Sequence, residues 1–220
     1  MRHVLFDLDG TLSDSAPGIL AALRHAFEVT GIPPMDEATE LAILGPPFYE
    51  SLPPLLGGPE RVPEVIAAYR AHYGDTSNGG GMFNTRAYPG VAELLTRLDE
   101  DGRTLAVATS KPEAYAVPIV EHLGFDKRFA TIGGHALDGS LGTKALVIGA
   151  VLERLGNPDP AEVIMVGDRS HDVLGAREHG IDTIAITWGY AVPGELEAAK
   201  PRWVCTTADE VAEVLGLPRG

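Results

Sequence analysis

The chain has 220 residues, with 17 Lys+Arg against 31 Asp+Glu and a formal charge of −14. Apolar residues make up 45% and charged residues 22%, as in a folded soluble protein with room for one large domain or two modest ones. The acidity argues against a general grip on nucleic acid or an anionic membrane surface, which need Lys and Arg, and the single Cys205 excludes an internal disulfide or a thiolate-built zinc site.

In chain order, residues 3–7 (HVLFD) predict a first strand. Asp7 interrupts this stretch too early for a signal peptide, and no apolar run nears the roughly 18 residues of a membrane span, so a cytoplasmic protein is expected. Residues 17–30, 36–44 and 59–73 then show helical periodicity, with Pro-rich breakers at Pro33-Pro34, Pro46-Pro47 and Pro53-Pro54 and a flexible exit at 77–81 (SNGGG). Beyond this, short β-rich runs at 103–109, 129–133, 162–167, 181–187 and 203–205 alternate with helical patterns at 90–100, 112–123, 143–155, 170–180 and from 207. Such alternation predicts right-handed βαβ units and a mostly parallel sheet. The expected fold is α/β: a core of residues 1–14 and 85–220, interrupted after its first strand by an all-helical unit of residues 15–84.

Ligands of an open parallel sheet gather at the carboxyl ends of its strands. The polar residues there are few: Asp7 and Asp9 after the first strand, Thr109 and Ser110 after the second, and Asp168 after EVIMVG, with Asp172 one turn further on. Each has an ordinary explanation, such as an Asx-turn at Asp9-Gly10, a helix cap at Asp168 or an acidic first turn at Asp172. Together they form an all-oxygen set, which suits Mg²⁺ rather than zinc or copper. Lys144 opens a helix, against the macrodipole, and a bound phosphate would relieve that conflict. A carboxylate attacking a phosphate monoester faces repulsion of about 4 kcal/mol per charge pair at an effective dielectric near ~20. A divalent cation and Lys144 are the local positive charge that could overcome it. Lys111, before Pro112 at a helix start, is expected to be an ordinary surface lysine, and His171 a solvent-facing helix start. Cys205, Trp188 and Tyr190 read as packing residues.

The segment 6–15 (FDLDGTLSDS) resembles the first motif of the haloacid dehalogenase-like hydrolases, and 107–112 (VATSKP) is similar to the second. Lys144 stands where the third motif's lysine is expected, and 167–172 (GDRSHD) resembles the fourth. Gly45-Pro46-Pro47, with residues 167–175, is most similar to the phosphoglycolate phosphatase-like branch. The resemblance implies a Rossmann-like three-layer α/β/α core with a helical cap, and a Mg²⁺-dependent phosphatase acting on a small phosphorylated metabolite. Asp7 would be the nucleophile, and Asp9 would protonate the leaving alcohol and then activate water. Gly10, Thr109, Ser110 and Lys144 would bind the phosphoryl group. Asp7, Asp9 (through its backbone carbonyl) and Asp168 would hold the metal, with Asp172 supporting the metal shell or orienting Lys144. Asp9 argues against dehalogenation, which needs no acid; Ser110 stands where Asn is common.

Substrate choice is expected to lie in the cap segment carrying Pro46, Pro47 and Phe48, with Arg24, Arg70 and Arg86 as candidate contacts for a charged leaving group. Phosphoglycolate, a nucleoside monophosphate and a sugar phosphate all fit, as does a β-phosphoglucomutase-like phosphomutase. A receiver-type regulatory phosphoacceptor would place acids, Thr and Lys similarly, but it lacks the helical insertion; an inactive binding protein would not fill every catalytic position. The chain is expected to be a monomer or homodimer.

Overall fold

The computed structural model of the chain describes residues 1–77, 80–137 and 142–218, so residues 78 and 79 of the expected exit lie outside the described residues. Strand β1 (His3–Phe6) leads into a two-residue ribbon in which β2 (Ser13–Asp14) pairs antiparallel with β3 (Arg86–Ala87). The chain therefore enters and leaves the intervening helices side by side. Those helices are α1 (Ala16–Val29), α2 (Glu37–Ala42), α3 (Phe48–Leu56) and α4 (Val62–Gly74). There follow α5 (Val91–Glu100), β4 (Thr104–Pro112), α6 (Glu113–His122), β5 (Phe129–His135), α7 (Lys144–Arg154) and β6 (Val163–Gly167). The chain ends with α8 (Ser170–Glu178), β7 (Asp182–Ile186), α9 (Glu195–Ala199), β8 (Trp203–Cys205) and α10 (Ala208–Val214).

Six parallel strands form one sheet in the order β5-β4-β1-β6-β7-β8. Its strands are apolar on both faces because helices cover both. Val4, Phe6, Val107 and Val166 point into one apolar layer, and Leu5, Ala106, Ala108 and Met165 into the other. This is the Rossmann-like α/β arrangement expected. Phe6 lies opposite Val107 on one side and Val166 on the other, so the residues just beyond these positions share one edge of the sheet. No described helix is long and apolar enough to cross a membrane.

The helices of the insertion bury their own apolar cluster, which includes Leu23, Phe27, Leu52 and Val65 and is joined by Tyr190 from the core. Hydrogen bonds tie it to the core. The Tyr190 hydroxyl oxygen accepts from the backbone N–H groups of Ser15 (2.8 Å) and Ala16 (2.9 Å), supplying partners for the start of α1. Arg169 donates to the Leu44 carbonyl, and Lys111 to the Tyr73 hydroxyl.

Two helices lie where the sequence pattern predicts none. Helix α3 contains Pro53 and Pro54, which read as breakers, yet a proline's fixed φ is compatible with helical backbone, and here the helix tolerates the lost N–H bonds and the crowding of the preceding turn. The helix stops instead at Gly57, which takes the left-handed conformation at φ 73°. Helix α9 has only five residues, too few for a periodicity to show. A third difference concerns Lys111. Strand β4 runs on to Pro112 and α6 begins at Glu113, so Lys111 is not a helix start. The residue before a proline is held extended, and here that keeps Lys111 in the strand.

Candidate active site

Asp7 follows β1 directly and its N–H donates to the Val166 carbonyl (2.9 Å), which fixes it beside the end of β6. Asp7 Oδ1 accepts from the Leu8 N–H at 2.7 Å and lies 2.9 Å from Lys144 Nζ. The same ammonium reaches Asp172 Oδ1 at 2.7 Å. Lys144 is the first residue of α7, whose cap is Thr143 with its side chain accepting from the Leu146 N–H. Asp172 sits in the first turn of α8 and its second oxygen accepts from the Arg169 N–H at 3.0 Å. Asp168 is not a helix cap: its two oxygens accept from the Thr11 hydroxyl (3.0 Å) and the Tyr190 N–H (2.7 Å).

Asp7, Asp168 and Asp172 are all buried, and each offers a carboxylate oxygen within 4.8 Å of the others. One lysine against three carboxylates leaves negative charge in excess in a buried site. Burial, then the charges of Asp172 and Asp7, push the Asp168 carboxyl well above its ordinary range. Burial likewise raises Asp172 to about 6, although Lys144 pulls the other way. Burial opposes the Lys144 ammonium too, but Asp172 and Asp7 outweigh it and hold its pKa above the usual lysine value. A bound divalent cation would remove this conflict, and a donor set of carboxylate oxygens alone suits a hard ion. The three aspartates therefore fit a metal.

Gly10 and Gly189 make room for Asp168. A Cβ on Gly10, which has φ +83°, would lie 2.2 Å from Asp168 Oδ2. A Cβ on Gly189 would lie 2.4 Å from that same oxygen and 2.4 Å from the Gly10 carbonyl.

The Asp9 side chain lies outside this carboxylate trio. Its Oδ1 accepts from the Ser15 hydroxyl at 2.6 Å, and its Oδ2 lies 2.8 Å from Lys111 Nζ. Lys111 is therefore not a surface lysine; its side chain is only 4% exposed. Asp9 and Lys111 form part of the floor of a cavity of about 200 Å³ between insertion and sheet. Ser110, Pro46, Pro47 and Phe48 also line it, together with aromatic residues of α4 and α6. Thr109 is buried beside it, its Oγ1 accepting from the Lys111 N–H at 3.2 Å. Of the three arginines singled out, Arg70 lines the cavity, whereas Arg24 pairs with Glu40 and Arg86 with Asp14 at exposed positions.

Other expectations need correction or addition. His171 is half-buried rather than solvent-facing, and burial, then the charge of Arg169, holds its pKa below the usual histidine value. Cys205 and Tyr190 are core residues, as expected, and Trp188 packs partly buried, its indole N–H donating to the Thr11 carbonyl at 3.1 Å. His135, at the end of β5, was not foreseen. It is 5% exposed, lines the cavity, and its Nε2 finds no hydrogen-bond partner among the described residues. Burial, then Lys144, holds its pKa below the usual histidine value.

Glu195 was not foreseen either. It accepts from Arg169 Nε (2.9 Å), the Ser170 N–H (2.8 Å) and the Val192 N–H (3.0 Å), bracing the loop that carries Asp168. Burial opposes its charge, but these donors, led by Arg169, pull its pKa down to about 2. Removing one partner of a buried pair leaves the other uncompensated, so Glu195→Gln is expected to lose about 3 kcal/mol in urea unfolding at neutral pH. A carboxyl whose folded pKa is depressed stabilises above its unfolded value, near ~4.3, and loses this as pH falls through the folded one. The gap between variant and parent should therefore narrow between roughly pH 4 and pH 2.

Residues 4–186 match the family model of the haloacid dehalogenase-like hydrolases. The chain belongs to this family. One relative, the tyrosine-protein kinase PtkA of Mycobacterium tuberculosis, is 43% identical, covering 97% of this chain and 72% of its own. The 5′-nucleotidase of Pseudomonas aeruginosa is 36% identical over 97% of this chain and 95% of its own. The crystal structure of a predicted phosphatase from Clostridium acetobutylicum superposes with a TM-score of 0.90 at 35% identity, covering 98% of this chain and 99% of that one. Other relatives carry the names pyrophosphatase and phosphoglycolate phosphatase, which places the chain in the phosphoglycolate phosphatase-like branch.

Proposed function

We propose that this chain is a Mg²⁺-dependent phosphatase that hydrolyses a small phosphate monoester through an aspartyl-phosphate on Asp7. The observation that carries the reading is the division of labour among the acids. Asp7, Asp168 and Asp172 converge on one another, with Lys144 against Asp7 and Asp172, while Asp9 turns away toward the cavity. Leu8 and Lys144 engage Asp7 Oδ1, which leaves Oδ2 to attack phosphorus. The P–O bond to the leaving group breaks as the new one forms, and Asp9 gives the departing alkoxide its proton. Asp9 then takes a proton from the water that hydrolyses the aspartyl-phosphate. Gly10, Thr109, Ser110 and Lys144 would hold the phosphoryl oxygens. Mg²⁺, bound by Asp7, Asp168 and the Asp9 carbonyl, would neutralise the charge brought by the phosphate. Asp172 pairs with Lys144 at 2.7 Å while its other oxygen accepts from the Arg169 N–H, which supports its role in orienting Lys144. The helical insertion would act as the cap that excludes water.

The cavity favours one leaving group among those considered. Its walls are apolar and aromatic, including Ile43, Phe48, Ile66, Tyr69, Tyr73 and Tyr115. A two-carbon carboxylate such as glycolate would bury little against them, whereas a nucleoside offers a ring to stack. The 5′-nucleotidase among the relatives agrees. The test is phosphate release from 2-phosphoglycolate, nucleoside 5′-monophosphates and sugar phosphates, with Mg²⁺ or with EDTA. We expect Mg²⁺-dependent release, greatest from the nucleotides; release from none of them would sink the reading. ATP with a tyrosyl peptide belongs in the panel, given the kinase name of the 43% identical relative.

A further inference from the structure

We propose that Lys111 is a positioning residue for Asp9, and that through Tyr73 it makes the leaving-group acid dependent on the seating of the helical insertion. The proposal rests on the phosphatase reading above, which assigns Asp9 its proton transfers but gives Lys111 no part.

An ammonium group that is 4% exposed must be paired to be tolerated. Lys111 Nζ has two polar partners, Asp9 Oδ2 at 2.8 Å and the Tyr73 hydroxyl at 2.7 Å, and it lies 4.9 Å from the centre of the Tyr73 ring. The other Asp9 oxygen is held by the Ser15 hydroxyl at 2.6 Å. Both oxygens are thus fixed from outside the Asp9 loop, one by strand β4 and one by the residue before α1. A carboxylate gripped at both oxygens cannot rotate freely. Proton transfer depends first on such geometry.

The backbone around Lys111 is shaped for this. The pairing of β4 with β5 shifts register between Ala108 and Pro112, the segment that holds Thr109, Ser110 and Lys111. Irregularities of this kind re-aim side chains next to functional sites. Tyr73 is 1% exposed and lies on α4, within the apolar cluster of the insertion. The path Tyr73–Lys111–Asp9 therefore runs from the insertion to the acid in two contacts. If the insertion lifts, Lys111 loses one partner and its hold on Asp9 changes.

The experiment exploits leaving-group chemistry. Nitrophenolate departs without a proton, whereas an alkoxide needs one, and kcat/KM reports the steps up to that departure. With Mg²⁺, Lys111→Met should lower kcat/KM for glycerol 2-phosphate by about 100-fold, the low end of a general-acid effect. The loss on p-nitrophenyl phosphate should be less than about tenfold. Lys111→Arg, which keeps a donor, should recover part of the loss. Tyr73→Phe should shift the ratio of the two substrates in the same direction by less, and it tests the proposal even if the buried Lys111→Met substitution prevents folding. Equal losses on both esters, or an unchanged ratio in Tyr73→Phe, would overturn the positioning role while leaving the phosphatase reading intact. Failure of the parent protein to hydrolyse either ester would overturn both.

Discussion

Replacing Asp7 by asparagine is expected to lower Mg²⁺-dependent hydrolysis of p-nitrophenyl phosphate by at least about 10⁴-fold while the protein stays folded. The amide is a poor nucleophile and cannot form the aspartyl-phosphate, so binding and charge stabilisation alone remain to help water attack. The fold has reason to survive. An asparagine oxygen can still accept from the Leu8 N–H, and Lys144 keeps Asp172 at 2.7 Å. One negative charge fewer also eases the crowding that pushes Asp168 and Asp172 upward. Circular dichroism should match the parent protein, and acid-quenched enzyme should carry no phosphate. Turnover within a factor of about ten of the parent would remove Asp7 as the nucleophile.

The acids of the site were legible because of where they stand. An aspartate that closes an apolar run ends a strand, and in a parallel sheet the strand ends meet at one edge, so Asp7 and Asp168 could be paired across roughly 160 residues without a structure. Lys144 was legible for the opposite reason, as a cation placed where a helix start disfavours it. What a linear pattern conceals is a partner supplied from elsewhere. Lys111 reads as solvated because surface lysines are common and the acid nearest it in sequence, Glu113, pairs elsewhere. Its carboxylate arrives from the β1 loop and its phenol from the insertion, 38 residues away. Glu195 is hidden in the same way, on a five-residue helix whose acid braces a loop 25 residues earlier. His135 has no motif at all and owes its position to the length of β5, which runs two residues beyond the expected end at 133. The prolines of α3 misled for a local reason: they signal a break only where the lost N–H or the ring clash matters more than the packing of Leu52.

Removing the Asp9 carboxylate should produce the second-largest effect, and one that separates the two halves of the reaction. In Asp9→Ala, attack by Asp7 on p-nitrophenyl phosphate can still proceed, since nitrophenolate leaves without a proton. Hydrolysis of the resulting aspartyl-phosphate then lacks its base and should slow by about 10²–10⁴-fold. The phosphoenzyme should accumulate, and enzyme quenched in acid should carry close to one phosphate per chain. With an alkyl ester the first step also lacks its acid, so no phosphoenzyme should build up. The substitution also leaves Lys111 buried without its carboxylate, which costs stability of about 3–5 kcal/mol. Asp9→Asn controls for this, because its amide oxygen can accept from Lys111 but cannot exchange the proton. The two variants should share the kinetic defect and differ in melting temperature. Normal steady-state rates in both would take Asp9 out of the chemistry and leave the Lys111 contact as a structural one.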